Sequence, residues 1–253
     1  MSELNELKKF CKYLSDESSK IIKPYFRTTF NIESKIDESP VTIADKKAEE
    51  KMRELINKEF PNHGIIGEEY GITNPNAEYK WILDPIDGTK SFICGAYTFG
   101  TMIGLLHNNK PVLGVINQPI LDEFLLGDNE NTYLNDQKVM VKNKTELKDA
   151  VLLSTDHLNI EKYQDITKFN SLIHKVKLYR LWGDCYGYLL LACGYADIMI
   201  DPIMNIWDLA ALVPIVNGAG GIITDYNGKD AITGQSTIAC VPGLHKKVID
   251  ILN

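Results

Sequence analysis

The segment Trp81-Ile82-Leu83-Asp84-Pro85-Ile86-Asp87-Gly88-Thr89-Lys90 concentrates more chemistry than any other stretch of the chain. An apolar run delivers Asp84 to its end, and Pro85, with its fixed φ and missing N–H, forces the backbone to turn. Two carboxylates separated by Pro-Ile can converge on one cation, with the Ile86 carbonyl as a further oxygen ligand. Magnesium takes such oxygen donors and keeps some of its waters. Gly88 permits close backbone approach, and the amides of Gly88 and Thr89 are donors for an anion. Taken alone, the same residues also fit an Asx turn leading into a helix cap, so both readings stand at this point.

Three further acidic segments occur in comparable settings. Gly67-Glu68-Glu69 follows the apolar pair Ile65-Ile66, Asp208 opens the apolar run Trp207-Asp208-Leu209-Ala210-Ala211, and Asp45 closes Val41-Thr42-Ile43-Ala44-Asp45. Individually these fit a solvated loop or acids in the first turn of a helix. No G-x-x-x-x-G-K-[ST] phosphate loop and no H-E-x-x-H zinc motif occurs. The five cysteines are odd in number and form no C-x-x-C pair, which argues against a disulfide framework and favours a reducing cytoplasm. A net charge of −7, from 34 acids and 27 bases, disfavours nucleic acid and anionic membranes as partners. An anionic substrate would be repelled by these acids unless divalent cations intervened.

The elements that must hold these residues follow from periodicity. Leu4, Leu7, Cys11, Leu14, Ile21 and Tyr25 repeat at helical spacing over the first twenty-five residues. This charged, amphipathic opening is unlike a signal peptide. Residues 28–40 read as a polar loop, and a second helix is expected from about Thr42 to Phe60 before Pro61-Asn62. Short apolar runs at Ile65-Ile66, Trp81–Leu83, Thr101–Leu106, Val112–Ile116 and Glu123–Leu126 read as strands, with another pair flanking Asn135-Asp136. Beyond residue 150 the pattern alternates. Strands are expected at Val151–Ser154, Leu178–Leu181, Ile198–Ile200, Ile222–Thr224 and Thr237–Val241. Helices are expected at Glu161–His174, Tyr186–Gly194, Trp207–Asn217 and Leu244–Leu252. The longest apolar stretch, Tyr188–Cys193, is far shorter than a membrane span. The alternation implies an α/β or α+β layered architecture, with an N-terminal α+β part over 1–150 and a C-terminal α/β part over 151–253.

Together, the four acidic segments resemble the inositol monophosphatase family. They occur in its order and approximate spacing, from Val41–Asp45 through Asp84-Pro-Ile-Asp87-Gly-Thr89 to Trp207-Asp208 and Gly220-Gly221. The resemblance implies a layered αβαβα sandwich, commonly dimeric. It implies that Glu68, Asp84 and the Ile86 carbonyl hold one magnesium ion, and that Asp84, Asp87 and Asp208 hold a second. Thr89, oriented by Asp45, would act with Glu68 on the attacking water, and the Gly88 and Thr89 amides would bind phosphate. The implied substrate is a small phosphorylated metabolite, the cofactor two or more Mg2+ per site, and Li+ a competing inhibitor. A homodimer is expected.

The segment Arg180-Leu181-Trp182-Gly183-Asp184-Cys185-Tyr186-Gly187-Tyr188 looks like the histidinol-phosphatase branch of that family. Asp184 would pair with an ammonium group, which histidinol phosphate has and inositol phosphate lacks, and Asp201 corresponds to an acid that contacts substrate. Asp184 also suits a helix cap. Cys94 stands where a polar residue is more typical, placing it in question at the pocket rim.

Overall fold

The computed structural model describes residues 3–29, 32–34 and 40–253. In chain order the helices are α1 (Glu3–Ile22), α2 (Ile43–Glu59), α3 (Thr89–Ile93), α4 (His157–Tyr163), α5 (Ile166–Ile173), α6 (Asp184–Ala192), α7 (Ile206–Gly218), α8 (Ala231–Gly234) and α9 (Pro242–Leu252). The strands are β1 (Ile32–Ser34), β2 (Pro40–Thr42), β3 (Gly64–Gly67), β4 (Gly71–Thr73), β5 (Tyr79–Asp87), β6 (Gly100–His107), β7 (Lys110–Gln118) and β8 (Glu123–Gly127). They continue as β9 (Thr132–Leu134), β10 (Gln137–Val139), β11 (Val151–Ser154), β12 (Leu178–Arg180), β13 (Ile198–Asp201), β14 (Ile222–Thr224) and β15 (Thr237–Cys240).

An eight-stranded sheet runs in the order β10-β9-β8-β7-β6-β5-β3-β4, and a five-stranded sheet in the order β12-β11-β13-β15-β14. Period-two alternation assigns each face of the larger sheet to its own layer. Ile103, Leu105, Leu113 and Val115 face α1 and α2, where Leu7, Cys11, Leu14, Met52 and Ile56 cover them. Met102, Ile116 and Leu125 face the other way, against α6 and α7. Those two helices also pack on Leu153, Met199 and Ala239 of the smaller sheet, whose outer face, with Ile198, Ile200, Ile238 and Cys240, is covered by α5 and α9. The layers are therefore α, β, α, β, α, around cores that bury most of the large apolar side chains of the central strands.

Helix α7 links the two halves. Gly104, Gly114 and Gly127 lie side by side on β6, β7 and β8, since Gly104 pairs with Gly114 and Gly114 with Gly127. A Cβ on Gly114 would stand 1.9 Å from the Ala211 carbonyl oxygen, and one on Gly127 2.5 Å from the Ile215 Cα. The three missing side chains form a trough that admits the α7 backbone directly onto the sheet. Asp208, in the first turn of α7, is thereby carried to the end of β5 where Asp84 and Asp87 lie.

Some expectations require correction. The single helix expected over 161–174 is two, α4 and α5, broken where Asp165 caps α5 by accepting from the Thr167 and Lys168 amides. The polar stretch 28–40 lies partly outside the described residues, and within it β1 and β2 form an antiparallel pair rather than continuous loop.

Candidate active site

The carboxylates converge because each sits at the end of an element. At the end of β5 the pairing with β6 slips between Asp84 and Asp87, a bulge that Pro85 enforces by offering no amide. The freed Pro85 carbonyl accepts from the Thr101 hydroxyl at 2.8 Å, and Asp84 Oδ1 accepts from the Ile86 amide at 3.0 Å. Parallel pairing of β3 with β5 continues through the Glu68 amide, which donates to the Leu83 carbonyl at 3.1 Å. The turn after Glu68 is pinned by buried Glu49, which accepts from the Glu69 amide at 2.8 Å and pairs with Arg53 at 2.7 Å.

Asp84, Asp87 and Asp208 offer carboxylate oxygens that all lie within 4.8 Å of one another. Asp208 is oriented by the Asn205 amide at 2.7 Å, and Asp87 Oδ2 accepts from the Cys185 amide at the start of α6. Glu68 lies close enough to Asp84 to hydrogen-bond with its carboxyl. Burial holds Asp84 and Asp87 well above the usual carboxylate range, and the neighbouring acids push each further up. Burial also raises Asp208 to about 7, opposed by the Asn205 amide and reinforced by the charges of Glu68, Asp201 and Asp184. No basic group is among the main influences on these three. An oxygen-only, like-charged donor set, with Asp84 buried and Asp87 and Asp208 half-buried, fits a hard divalent cation.

Around these acids lies a cleft of about 370 Å³ that also includes Ile86, Gly88, Thr89, Lys90 and Ser91. Its far wall comes from the C-terminal half: Thr155, Asp156, Asn159 and Asp184. A larger groove of about 530 Å³ lies between α1 and the β8–β9 edge, lined by Lys8, Lys12, Phe124 and Tyr133. It carries none of the clustered carboxylates, so size alone does not choose the site.

Asp45, expected beside Thr89, is only 1% exposed, and its Oδ2 accepts from the Thr42 amide at 2.9 Å in a capping box. Its buried Oδ1 has no hydrogen-bond partner among the described residues. Burial raises its pKa to about 6, against the Thr42 hydrogen bonds and with the charge of Glu68. The Thr89 hydroxyl donates to the Ile86 carbonyl at 3.0 Å rather than to Asp45. Asp201 lines a smaller inner pocket of about 140 Å³, with Oδ1 accepting from the Thr155 amide at 3.1 Å and Oδ2 from the Tyr188 hydroxyl at 2.9 Å. Cys94 is exposed at the end of α3 and lines neither pocket.

Asp156, Asn159, Thr155 and Ser91 line the cleft without having stood out in the sequence. The available signal was the place of Thr155 and Asp156 just after a strand of an α/β layer, where ligands commonly bind, while Ser91 and Asn159 lie in α3 and α4.

The inositol monophosphatase family model matches residues 3–253. The chain belongs to the inositol monophosphatase family. It is a metal-dependent phosphate monoesterase of that family, and Asp84, Asp87 and Asp208 form an acidic cluster that could hold a metal ion. It is similar to "Bifunctional phosphatase IMPL2, chloroplastic" of Arabidopsis thaliana, 44% identical over 242 residues, covering 94% of this chain and 69% of the relative. A histidinol-phosphatase of Chlorobaculum parvum is 38% identical over 239 residues, covering 93% and 92%. Among solved structures, an inositol monophosphatase from Zymomonas mobilis superposes with a TM-score of 0.89 at 36% identity, covering 100% of this chain and 99% of that one. The fold is the family's layered α/β fold. Among the described residues no helix is long and apolar enough to cross a membrane.

Proposed function

We propose that this family member hydrolyses histidinol phosphate to histidinol and inorganic phosphate with magnesium, as a cytoplasmic step of histidine synthesis. The observation that carries the reading is the position of Asp184. Its carboxylate forms part of the cleft wall that faces the Asp84–Thr89 loop, with Oδ2 accepting from the Ser91 hydroxyl at 2.9 Å. A fixed anion there suits an alcohol that carries an ammonium group and disfavours a neutral polyol. Similarity to the histidinol-phosphatase of Chlorobaculum parvum supports the same branch.

In this reading Glu68, Asp84 and the Ile86 carbonyl would hold one magnesium ion, and Asp84, Asp87 and Asp208 would hold a second. When bound, magnesium neutralises the charge of the phosphate ester and makes water a nucleophile near neutral pH. Thr89 and Glu68 orient the attacking water, and Glu68 accepts its proton. Asp45 lies near enough for the charge of Glu68 to act on it, which favours its protonated form. The Gly88 and Thr89 amides bind phosphate oxygens, Asp184 receives the ammonium group, and Asp201 steadies the pocket beneath. Water attacks phosphorus in line, the P–O bond to the alcohol breaks, and the departing alkoxide takes a proton from water, with no covalent phosphoenzyme. Lithium, competing for the same oxygens, inhibits.

We also take the chain to work as a homodimer. Leu158, Leu181 and Trp182 are 70%, 51% and 49% exposed on segments that also carry cleft residues, apolar surface that a second copy could cover. Light scattering on the purified protein decides this directly.

A second reading, inositol monophosphatase or broad sugar-phosphate phosphatase, is favoured by the likeness to the Zymomonas mobilis structure. Asp184→Asn separates the two. Loss of a charged hydrogen bond should lower kcat/KM for histidinol phosphate relative to inositol 1-phosphate by about ten- to a hundredfold. An unchanged ratio would leave the inositol reading standing.

A further inference from the structure

Asp184 occupies a backbone conformation that an aspartate adopts at a cost. It opens α6 with φ at +48°, in the left-handed region, and no side chain caps the helix at Gly183. Three contacts hold it there. Its amide donates to the Thr155 hydroxyl at 2.8 Å, so the strand end of β11 fixes its backbone. Its Oδ2 accepts from the Ser91 hydroxyl at 2.9 Å. The carboxylate also leans on Gly88, where a Cβ would come within 2.9 Å of Oδ2.

Ser91 is the informative member of this set. Its oxygen accepts from the Thr98 hydroxyl at 3.0 Å while its proton goes to Asp184, so neither role can be exchanged without breaking the other bond. It lies two residues beyond Thr89 on α3, the helix that grows directly out of the carboxylate loop. Among the described residues, Asp184 Oδ1 accepts no hydrogen bond, which leaves one oxygen of the pair for a ligand.

We propose that Ser91 is a positioning residue for substrate selection: its hydroxyl ties the Asp184 carboxylate to the phosphate-side loop and so sets the spacing between phosphate and ammonium in the ester that fits. The inference rests on the reading that the substrate alcohol carries an ammonium group. Ser91 does not touch the reacting atoms; it fixes the register between the N-terminal loop that takes the phosphate and the C-terminal residue that takes the alcohol. A rigid carboxylate discriminates charge spacing, whereas a swivelling one accepts many esters.

The test is steady-state kinetics of Ser91→Ala and Ser91→Thr on histidinol phosphate and inositol 1-phosphate at saturating magnesium, beside wild type. In Ser91→Ala the ratio of kcat/KM for histidinol phosphate over inositol 1-phosphate should fall about tenfold, chiefly through KM for histidinol phosphate. Ser91→Thr, which keeps the hydroxyl, should restore most of the ratio. Equal losses on both esters in Ser91→Ala, or a ratio that does not move, would overturn the inference while the substrate reading stands. A wild-type enzyme without preference for histidinol phosphate would instead overturn the substrate reading, and this inference with it. If Ser91→Ala does not fold, Thr98→Val removes the donor that orients Ser91 and should shift the same ratio in the same direction by a smaller factor.

Discussion

Asp84 is 2% exposed, and the groups acting on it are burial itself and the acids Glu68, Asp87 and Asp208. Such a residue is poorly placed for stability and well placed for a cation. Asp84→Asn should therefore lower turnover on the order of a hundredfold or more while leaving the melting temperature of the metal-free protein unchanged or higher. Retained turnover in that variant would remove Asp84 from the metal site. The sign of the pH dependence follows from the same crowding. Asp208 is raised to about 7 and Asp45 and Asp184 to about 6, all above the ordinary 3.8. A carboxyl whose folded pKa exceeds its unfolded one binds its proton more tightly when folded. Stability of the metal-free protein should thus be greater at pH 5 and be lost as the pH rises through about 6 to 7. Thermal melts in EDTA across pH 5–8 check this, and added magnesium should close most of the gap. Asp84, Asp87 and Asp208 could be picked out from the sequence because an apolar strand followed by D-P-I-D-G-T leaves little freedom in where the acids point. Ser91 and Asn159 could not, because a single polar residue in a short helix carries no periodic signal.

At the scale of elements, the glycines of β6, β7 and β8 set where α7 lies, and α7 sets where Asp208 lies. Gly114 has the least room, with the Ala211 carbonyl oxygen 1.9 Å from where its Cβ would be. Gly114→Ala must push the helix off the sheet, since the obstacle is backbone. We expect a loss of about 1–3 kcal/mol in stability, with kcat falling as Asp208 moves away from Asp84 and Asp87. Denaturant melts and magnesium titrations of activity measure both, and a variant unchanged in either would mean that the trough does not govern α7. The strands and long helices were readable from period-two and helical spacing. The break between α4 and α5 was not, because apolar spacing runs on through Ile160, Ile166 and Phe169 while the Asp165 cap interrupts the helix. The pairing of the three glycines was also hidden, being a relation across strands rather than along one.

For the whole molecule, the site exists only where the two halves meet. The loop of β5 and α3 supplies Asp84, Asp87, Thr89 and Ser91, while the turn after β11, α6 and α7 supply Thr155, Asp184 and Asp208. Joining them requires the α7 layer shared by both sheets, an arrangement that the succession of elements implies only as a fold class. The resemblance of the acidic motifs to the family supplied the rest. The most direct test of the central claim is phosphate release from histidinol phosphate and inositol 1-phosphate, side by side, with magnesium and with EDTA. Release that depends on magnesium and strongly favours histidinol phosphate is the predicted result. Release that survives EDTA would contradict the metal-dependent mechanism, and equal or better release from inositol 1-phosphate would contradict the assignment of Asp184 to an ammonium group.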